Sequence, residues 1–270
     1  MSRRLIVPID GSSASWRGFD VAMDLAARSA AAIRIVEVEL DPVDVGWARE
    51  RLRSELATRD VGDVDISIDV RLAYEHVAHE IVAAASLVPD AVVVMSSVGR
   101  GRSAAIVGSV AQDVLRQSQQ PVVLVGPKAA TSGFHGSIIV TTDGSLESEA
   151  ALPVASQWAN DLDAPVVIST VGDPHAGWLP NVFMADGYMT RLVERSRQTT
   201  HADVDIAVLA GPNVGRAVVD HAHRCSASLI VASSHGRGGL SRLVLGSVAA
   251  HFVRRAPCPV IVVHLTSSAV

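Results

Sequence analysis

The residues SLIVASSHGRGGLSRLVLGS, 228–247, decide the fold. An apolar run of the kind that forms a buried strand, 228–232, leads into a loop that contains several glycines. The residues after this loop have helical spacing, so a helix is predicted to begin at Ser247. Gly236 and Gly246 bracket the loop. A strand, a glycine-bearing loop and a helix in this order are typical of α/β domains, where such a loop either holds an anion or only turns the chain.

The same pattern occurs twice along the chain, which indicates a tandem duplication. LIVPIDGSSAS, from Leu5, is similar to IIVTTDGSLES, from Ile138, and the two segments align Asp10 with Asp143. Further on, MSSVGRGRSAAIVGSVA is similar to ASSHGRGGLSRLVLGSVA, and QPVVLV is similar to CPVIVV. Because these landmarks keep their order and nearly their spacing, we predict one domain over residues 1–127, a linker over 128–135 and a second domain over 136–270.

Each half is predicted to be a Rossmann-like α/β domain with a five-stranded parallel sheet, strand order 3-2-1-4-5, and helices on both faces. Hydrophobic residues make up 49% of the chain but aromatic residues only 4%, so small aliphatic side chains must build the core, as in a parallel sheet covered on both faces. The predicted strands are 5–9, 33–38, 65–70, 91–95 and 122–125 in the first half, and 138–141, 166–171, 204–208, 229–232 and 260–263 in the second. Pro153 predicts a helix that begins late or is kinked.

The charge and the cysteine content restrict the class of protein. A net charge of −5 gives no reason to expect binding to nucleic acid or to an anionic membrane, and no apolar run approaches the roughly 18 residues of a membrane helix. The first residues, MSRRLIVPIDG, indicate a first strand and not a signal peptide. Cys225 and Cys258 are single and far apart, which favours reduced thiols and a cytoplasmic location.

The predicted topology brings two sequence features to one crevice. In such a sheet, ligands bind beyond the carboxyl ends of the strands where the winding direction reverses, here between the first and fourth strands. Asp10 and Asp143 follow the first strands, and the glycine loops follow the fourth. Glycines let backbone N–H groups approach an anion, and a helix beginning at Ser247 adds the positive end of its dipole. The alternative is that Ser247 only caps the helix and the glycines only shape a turn.

This combination of motifs resembles the universal stress protein family over essentially the whole chain. In the ATP-binding branch of that family the loop pattern is Gly-x2-Gly-x9-Gly-Ser/Thr, and the resemblance implies that each domain binds ATP with Mg²⁺. In the second domain the implied positions are Asp143 on the ribose side, Val171 offering backbone groups to adenine, and Ser233, Gly236, Gly246 and Ser247 around the phosphates. In the first domain the matching positions are Asp10, Val38, Ser96, Gly99, Gly108 and Ser109.

The sequence departs from that family pattern in two ways. Serine replaces the first glycine in both halves, at Ser96 and Ser233, and its β-carbon makes a close phosphate approach harder. In the first half only eight residues separate Gly99 from Gly108, so we expect a changed loop path and favour the second site over the first.

Several other side chains are candidate site residues. Four arginines flank the loops and could clamp phosphates: Arg100, Arg102, Arg237 and Arg242. For at least half of them we favour a role as solvated loop residues. Two pairs of side chains have the spacing of metal ligands: His76 with His79, and His221 with Cys225. Both pairs lie on predicted outer helices, so we expect no metal site. The chain contains neither a Walker motif nor a Gly-x-Gly-x2-Gly fingerprint after its first strand.

Three functions follow, in order of preference. The first is a nucleotide-dependent stress-response regulator with slow or absent hydrolysis, because no base is positioned for catalysis. The second is a nucleotide-free interaction module. The third is an enzyme acting on an adenylate, which only fold analogy supports. The resemblance also implies pairing through the last strands, Val122–Val125 and Val260–Val263, as an intramolecular pseudo-dimer or in a homodimer. A cyclic nucleotide would use groups similar to those that bind ATP.

Overall fold

The structure is a computed structural model, and it describes residues 3–73, 76–99, 107–172, 187–234 and 245–264. The chain divides into two compact units, Met1–Val125 and Gly126–Val270. In the predicted linker, the Ala130 N–H donates to the Pro257 carbonyl at 2.7 Å and Phe134 is buried, so these residues are attached to unit 2. The domain limits 1–127 and 136–270 stay predictions.

Unit 1 alternates strands and helices as predicted. Its strands are β1 (Arg4–Pro8), β2 (Ala32–Glu39), β3 (Ile66–Leu72), β4 (Ala91–Ser96) and β5 (Val122–Val125). Its helices are α1 (Ser13–Ser29), α2 (Asp44–Ala57), α3 (Val77–Ser86) and α4 (Ser109–Gln117). All the strand pairs are parallel in the order β3-β2-β1-β4-β5, so the predicted topology is confirmed.

Unit 2 repeats this arrangement. Its strands are β6 (Ile138–Thr141), β7 (Val166–Gly172), β8 (Val204–Ala210), β9 (Leu229–Ser233) and β10 (Val260–Val263). Its helices are α5 (Leu146–Glu149), α6 (Ala151–Leu162), α7 (Tyr188–Arg197), α8 (Val214–Arg224) and α9 (Ser247–Arg255). The parallel order β8-β7-β6-β9-β10 is again 3-2-1-4-5 when the strands are counted within the unit.

The central strands form the core of each unit. In β1 the side chains of Leu5, Ile6 and Val7 are fully buried, and in β6 those of Ile138 and Ile139 are as well. Burial of consecutive residues means that both faces of the sheet are covered, which explains why these strands are continuous apolar runs. Each first strand lies between the second and the fourth, so its carboxyl end is the point at which the winding reverses.

Two helices begin later than a simple reading of the sequence suggests. Pro153 has no N–H to donate to the carbonyl of Glu149, and the helix is interrupted at Ala150, between α5 and α6. The predicted helix over 75–86 begins at Val77, since His76 has an extended backbone, φ −134° and ψ 121°. Among the helices that the described ranges contain, none has the length and apolar character needed to cross a membrane.

Candidate functional site

The ends of β1 and β4 bring Asp10 and the first-half glycines together. A β-carbon built on Gly99 would lie 3.4 Å from Asp10 Oδ2. A β-carbon built on Gly108 would lie 3.7 Å from the Gly99 nitrogen and 3.6 Å from the Ser97 oxygen. The two glycines are therefore direct neighbours, and the carboxylate faces them. This is the convergence that the strand order predicts.

A cavity of about 650 Å³ opens at this point of unit 1. The six first-domain residues predicted as a site all line it: Asp10, Val38, Ser96, Gly99, Gly108 and Ser109. Apolar walls come from Val36, Ile81 and Met95, which belong to β2, α3 and β4. Its volume lies within the range typical of small-molecule sites, roughly 300–1,000 Å³. The structure thus gathers the predicted residues around a space that a ligand can occupy.

The carboxylates that follow the first strands hold their own turns. Asp10 Oδ1 accepts hydrogen bonds from the N–H of Ser12 at 2.9 Å and from its hydroxyl at 2.6 Å. Asp143 Oδ1 accepts the same pair of bonds from Ser145, at 3.0 and 2.6 Å. The Ser12 hydroxyl in turn accepts from the Ser15 N–H, which caps α1. One carboxylate oxygen therefore fixes the turn into the next helix in both units.

Both glycine loops close with the same backbone hydrogen bond. The Gly108 N–H donates to the Ser97 carbonyl at 2.7 Å, and the Gly246 N–H donates to the Ser234 carbonyl at 2.9 Å. The shorter loop of the first half therefore starts and ends in the same way as the longer one. Residues 100–106 and 235–244, between these ends, lie outside the described residues.

The helices after the loops begin at the predicted serines, but these serines are not the caps. Gly108 and Gly246 occupy the N-cap positions of α4 and α9 in extended conformation, and neither helix has a side-chain cap hydrogen bond. Ser109 and Ser247 are the first helical residues, and both are exposed. The interpretation of Ser247 as an N-cap is therefore wrong. The first-turn N–H groups have no intrahelical acceptor, and they lie at the N-terminal end of the helix, where the dipole is positive.

A buried carboxylate at the edge of the cavity was not predicted. Glu37 of β2 lines the cavity and is 2% exposed. Its Oε1 atom forms an ion pair with Arg51 of α2, while its Oε2 atom has no hydrogen-bond partner among the described residues. Burial raises the pKa of Glu37, and the Arg51 guanidinium partly offsets this. A signal existed, since Glu37 continues the alternation of Ile33 and Ile35, both of which are buried.

In unit 2 the turn after β6 is held by a polar network that the sequence did not reveal. The Tyr188 hydroxyl lies 3.1 Å from Thr142 Oγ1 and donates to Glu149 Oε1 at 3.0 Å. Arg195 donates to the other oxygen of Glu149 at 2.7 Å. Burial raises the pKa of Tyr188, so the phenol stays protonated. This network anchors α7 beside Asp143, which directly follows Thr142.

The remaining second-half candidates are only partly described. Val171 lies near the end of β7, Ser233 ends β9, and Gly246 and Ser247 lie at the start of α9. Gly236 falls outside the described residues. So do the four candidate phosphate-clamping arginines, Arg100, Arg102, Arg237 and Arg242. Within the ranges that are described, no cluster of three or more His, Cys, Asp or Glu side chains has a metal-binding arrangement.

Comparison with known proteins gives a family match to both halves. The model of the universal stress protein family matches residues 1–126 and again residues 135–264. A universal stress protein of Mycobacterium tuberculosis is 30% identical over an alignment 306 positions long, which covers 97% of this chain and 95% of that protein. These matches include both predicted domains and both glycine loops.

A solved structure that covers nearly the whole chain has the same fold. A universal stress protein from Archaeoglobus fulgidus superimposes with a TM-score of 0.76 at 20% identity, covering 98% of this chain and 99% of its own. A universal stress protein solved in complex with cAMP covers 50% of this chain and 100% of its own, at 25% identity and a TM-score of 0.42. The bound cAMP is reported for that protein.

Proposed function

The chain belongs to the universal stress protein family, and from that membership we propose that it binds ATP with Mg²⁺ and acts as a nucleotide-dependent stress-response regulator. The observation that carries the proposal is the meeting of Asp10, Gly99 and Gly108 in the lining of a cavity of about 650 Å³. We propose the corresponding edge of unit 2 as a second site.

The phosphates of the nucleotide would lie over the glycine bracket. Gly99 and Gly108 present backbone without β-carbons, and the first N–H groups of α4 lack intrahelical acceptors. Backbone N–H groups at a helix N-terminus bind phosphate because the dipole and the unsatisfied donors act together. Ser109, exposed and not engaged in capping, adds a hydroxyl at the same place.

The base and the ribose would lie beside the apolar side chains of the cavity lining. Val36 and Val38 of β2 and Met95 of β4 belong to this lining, and they suit the faces of a purine ring. Backbone groups at the end of β2 are available for the edge of the base, as the family resemblance implies for Val38. Asp10 also lines the cavity, and the family resemblance implies that it lies on the ribose side.

The charge of the cavity explains why Mg²⁺ belongs to the proposal. The described lining contains Asp10, Glu37, Glu39, Asp41 and Asp44, and no lysine, arginine or histidine. A triphosphate entering this acidic site needs a countercharge, which Mg²⁺ on its phosphates would supply when bound. The described residues form no metal cluster of their own, so the ion would be held by the phosphates with Asp10 as a neighbouring carboxylate.

We propose that bound nucleotide acts as a signal and that turnover is slow or absent. A nucleophile needs an adjacent base, and Ser109 has no hydrogen bond to any described side chain that could serve as one. We also propose a cytoplasmic location, and pairing through β5 and β10 either within one molecule or between two copies.

A second candidate function is a nucleotide-free interaction module. Three large apolar side chains are exposed close together in the chain, two between β2 and α2 and one in the first turns of α2: Leu40 is 70% exposed, Val43 83% and Trp47 67%. Exposed apolar groups of this kind favour contact with a partner. The acidic lining of the cavity favours the same alternative, because it works against an anionic ligand.

Isothermal titration calorimetry with ATP and Mg²⁺ separates the two functions. We expect saturable binding to the intact protein and its loss in the double variant Gly99→Val/Gly246→Val, which places side chains over both glycine brackets. The control is the exposed helical variant Gly46→Ala, where a β-carbon meets no atom within 4 Å. Absence of both binding heat and thermal stabilisation at millimolar ATP would leave the interaction module as the function.

A further inference from the structure

The last turns of α8 and α9 place a basic surface at the amino ends of β9 and β10. The two helices end at Arg224 and Arg255, shortly before these neighbouring parallel strands begin. The linker lies against the same edge, since the Ala130 N–H donates to the Pro257 carbonyl at 2.7 Å. We call the cations gathered here the basic edge of unit 2: Lys128, Arg224, Arg254 and Arg255.

The cations of the basic edge are not neutralised by the rest of the chain. Arg254 is partly exposed and the others are fully exposed, and none of them forms an ion pair with a described residue. By contrast, Arg216 at the other end of α8 is paired with Asp220 at 3.5 Å. Asp163 and Asp203 precede β7 and β8, which lie on the far side of β6 from β9 and β10. The basic edge therefore attracts an anionic partner.

Unit 1 has an acidic loop at the same end of its own sheet. The acidic loop, residues 60–65, joins α2 to the outer strand β3 and carries three exposed carboxylates: Asp60, Asp63 and Asp65. None of the three forms an ion pair with a described residue. The Gly62 N–H donates to Asp60 Oδ1 at 3.2 Å, which holds the turn. The loop thus presents negative charge to solvent.

The equivalent places in the other unit lack these charges. Unit 2 joins α7 to β8 through residues 198–203, Gln-Thr-Thr-His-Ala-Asp, which contain one carboxylate. Unit 1 ends α3 and starts the next turn with residues 86–88, Ser-Leu-Val, and it ends α4 with Gln117. Arg116, which precedes Gln117, is paired with Asp113 at 2.7 Å. The two units therefore carry opposite charge at the same end of their sheets.

We propose that the basic edge of unit 2 binds the acidic loop of unit 1 in a second copy of this chain, so that copies associate head to tail. Charge complementarity points to this partner, and the net charge of −5 disfavours a nucleic acid or an anionic membrane. The contact joins two different surfaces, so each copy keeps one of each kind for the next copy. The association goes beyond nucleotide binding, since both surfaces lie at the opposite end of their sheets from the glycine brackets.

Sedimentation velocity of the full chain tests the proposal. Exposed ion pairs contribute little individually, so we expect weak association that becomes visible at roughly 0.1 mM protein or above. The weight-average sedimentation coefficient should rise with protein concentration at about 0.02 M salt. This rise should disappear at about 0.5 M salt, because salt screens exposed charges.

Reversing the charge of each surface gives two complementary variants. The first is Asp60→Lys/Asp63→Lys/Asp65→Lys, and the second is Arg224→Glu/Arg254→Glu/Arg255→Glu. Each variant alone should lose the salt-dependent association, since its two surfaces then repel each other. An equimolar mixture should recover it, because the reversed loop of one variant meets the reversed edge of the other.

A third variant controls for net charge. It reverses three exposed arginines outside both surfaces and should associate as the wild-type protein does: Arg49→Glu/Arg53→Glu/Arg216→Glu. Thermal unfolding checks that every variant folds. If glutamate unfolds the last turns of α8 and α9, glutamine at the same three positions removes the charge without opposing the helix dipole, and the loss of association is still expected.

Association in the mixture but in neither variant alone confirms the proposal. A sedimentation coefficient independent of salt, or association that persists in both reversed variants, overturns it and leaves β5 and β10 as the route to any dimer. The proposal is also overturned if the wild-type protein stays monomeric at low salt while its basic edge binds vesicles of anionic phospholipid.

Discussion

A β-carbon built on Gly99 would lie 3.4 Å from Asp10 Oδ2, although the two residues end different strands. The reversal of winding between β1 and β4 brings them together, and the Gly108 backbone closes the same corner. The contact leaves room for backbone and carboxylate but little for a side chain between them. The absence of β-carbons at Gly99 and Gly108 therefore shapes the site as much as the Asp10 carboxylate does.

A graded substitution at Gly99 tests this geometry. Alanine makes only ordinary contact with Asp10, whereas valine adds two methyl groups to the same β-carbon beside the carboxylate. We expect Gly99→Ala to weaken ATP binding in unit 1 a few-fold and Gly99→Val to weaken it at least tenfold, because the phosphates can no longer reach the backbone. Calorimetry measures the affinities, and thermal unfolding checks that both variants fold. A Gly99→Val variant that binds ATP in unit 1 as tightly as the wild-type protein does would refute the placement of phosphate here.

The serines at the starts of α4 and α9 should be dispensable for folding. Ser109 lies after the N-cap and caps nothing, while Ser12 accepts a cap hydrogen bond from the Ser15 N–H. We expect Ser109→Ala to change the free energy of unfolding by less than about 0.5 kcal/mol, and Ser12→Ala to lower it by about 1 kcal/mol. Urea denaturation measures both. A larger loss at Ser109 than at Ser12 would show that the exposed serine has a structural role.

Close backbone contact makes Gly136 intolerant of a side chain. A β-carbon there would lie 1.8 Å from the Ser226 carbonyl oxygen, and backbone cannot move aside as a flexible side chain can. We expect Gly136→Ala to destabilise unit 2 by about 2 kcal/mol or more. The matched control is Gly46→Ala in α2, which meets no atom within 4 Å and should stabilise the helix by about 0.5–1 kcal/mol. Opposite signs in urea denaturation are the predicted result; equal effects would contradict it.

The buried Glu37 is expected to lower the free energy of unfolding as the pH rises. Burial raises the pKa of Glu37 above its ordinary value of 4.5, since desolvation and the nearby Glu39 and Glu55 outweigh Arg51. The native state therefore holds this proton more tightly than the unfolded chain does. The stabilisation is fully present below about pH 4.5 and is lost as the pH rises through the raised pKa.

The measurement is urea denaturation of the wild-type protein and Glu37→Gln across pH 4 to 8. Glutamine removes this titration, so the stability of the wild-type protein relative to the variant should fall as the pH rises. A relative stability that increases with pH would mean that the ion pair with Arg51 dominates over desolvation.

The fold and the convergence of the site could be predicted from the sequence because each depends on short-range signals. Apolar runs predict the strands, and the topological rule for parallel sheets then places Asp10 near Gly99. The repeat confirms the pattern by showing it twice. The strand order and the helix starts at Ser109 and Ser247 were predicted correctly.

Interactions that depend on packing between elements could not be predicted. Alternation puts Glu37 on the buried face of Ile33 and Ile35, but only the position of α2 shows that Arg51 is its partner. Tyr188 reaches Thr142 across 46 residues, and nothing local in the sequence marks the pair. Pro153 predicts a late start or a kink, but the position of the break at Ala150 depends on the separate capped turn of α5 that precedes it.

The most direct measurement of the central claim is a crystal structure of the full chain grown with ATP and Mg²⁺. The account predicts nucleotide density in the unit 1 cavity, with phosphates against Gly99, Gly108 and the N-terminus of α4 and the base beside Val38. A structure determined at saturating ATP in which this cavity holds only solvent, or in which the nucleotide binds elsewhere on unit 1, would contradict it.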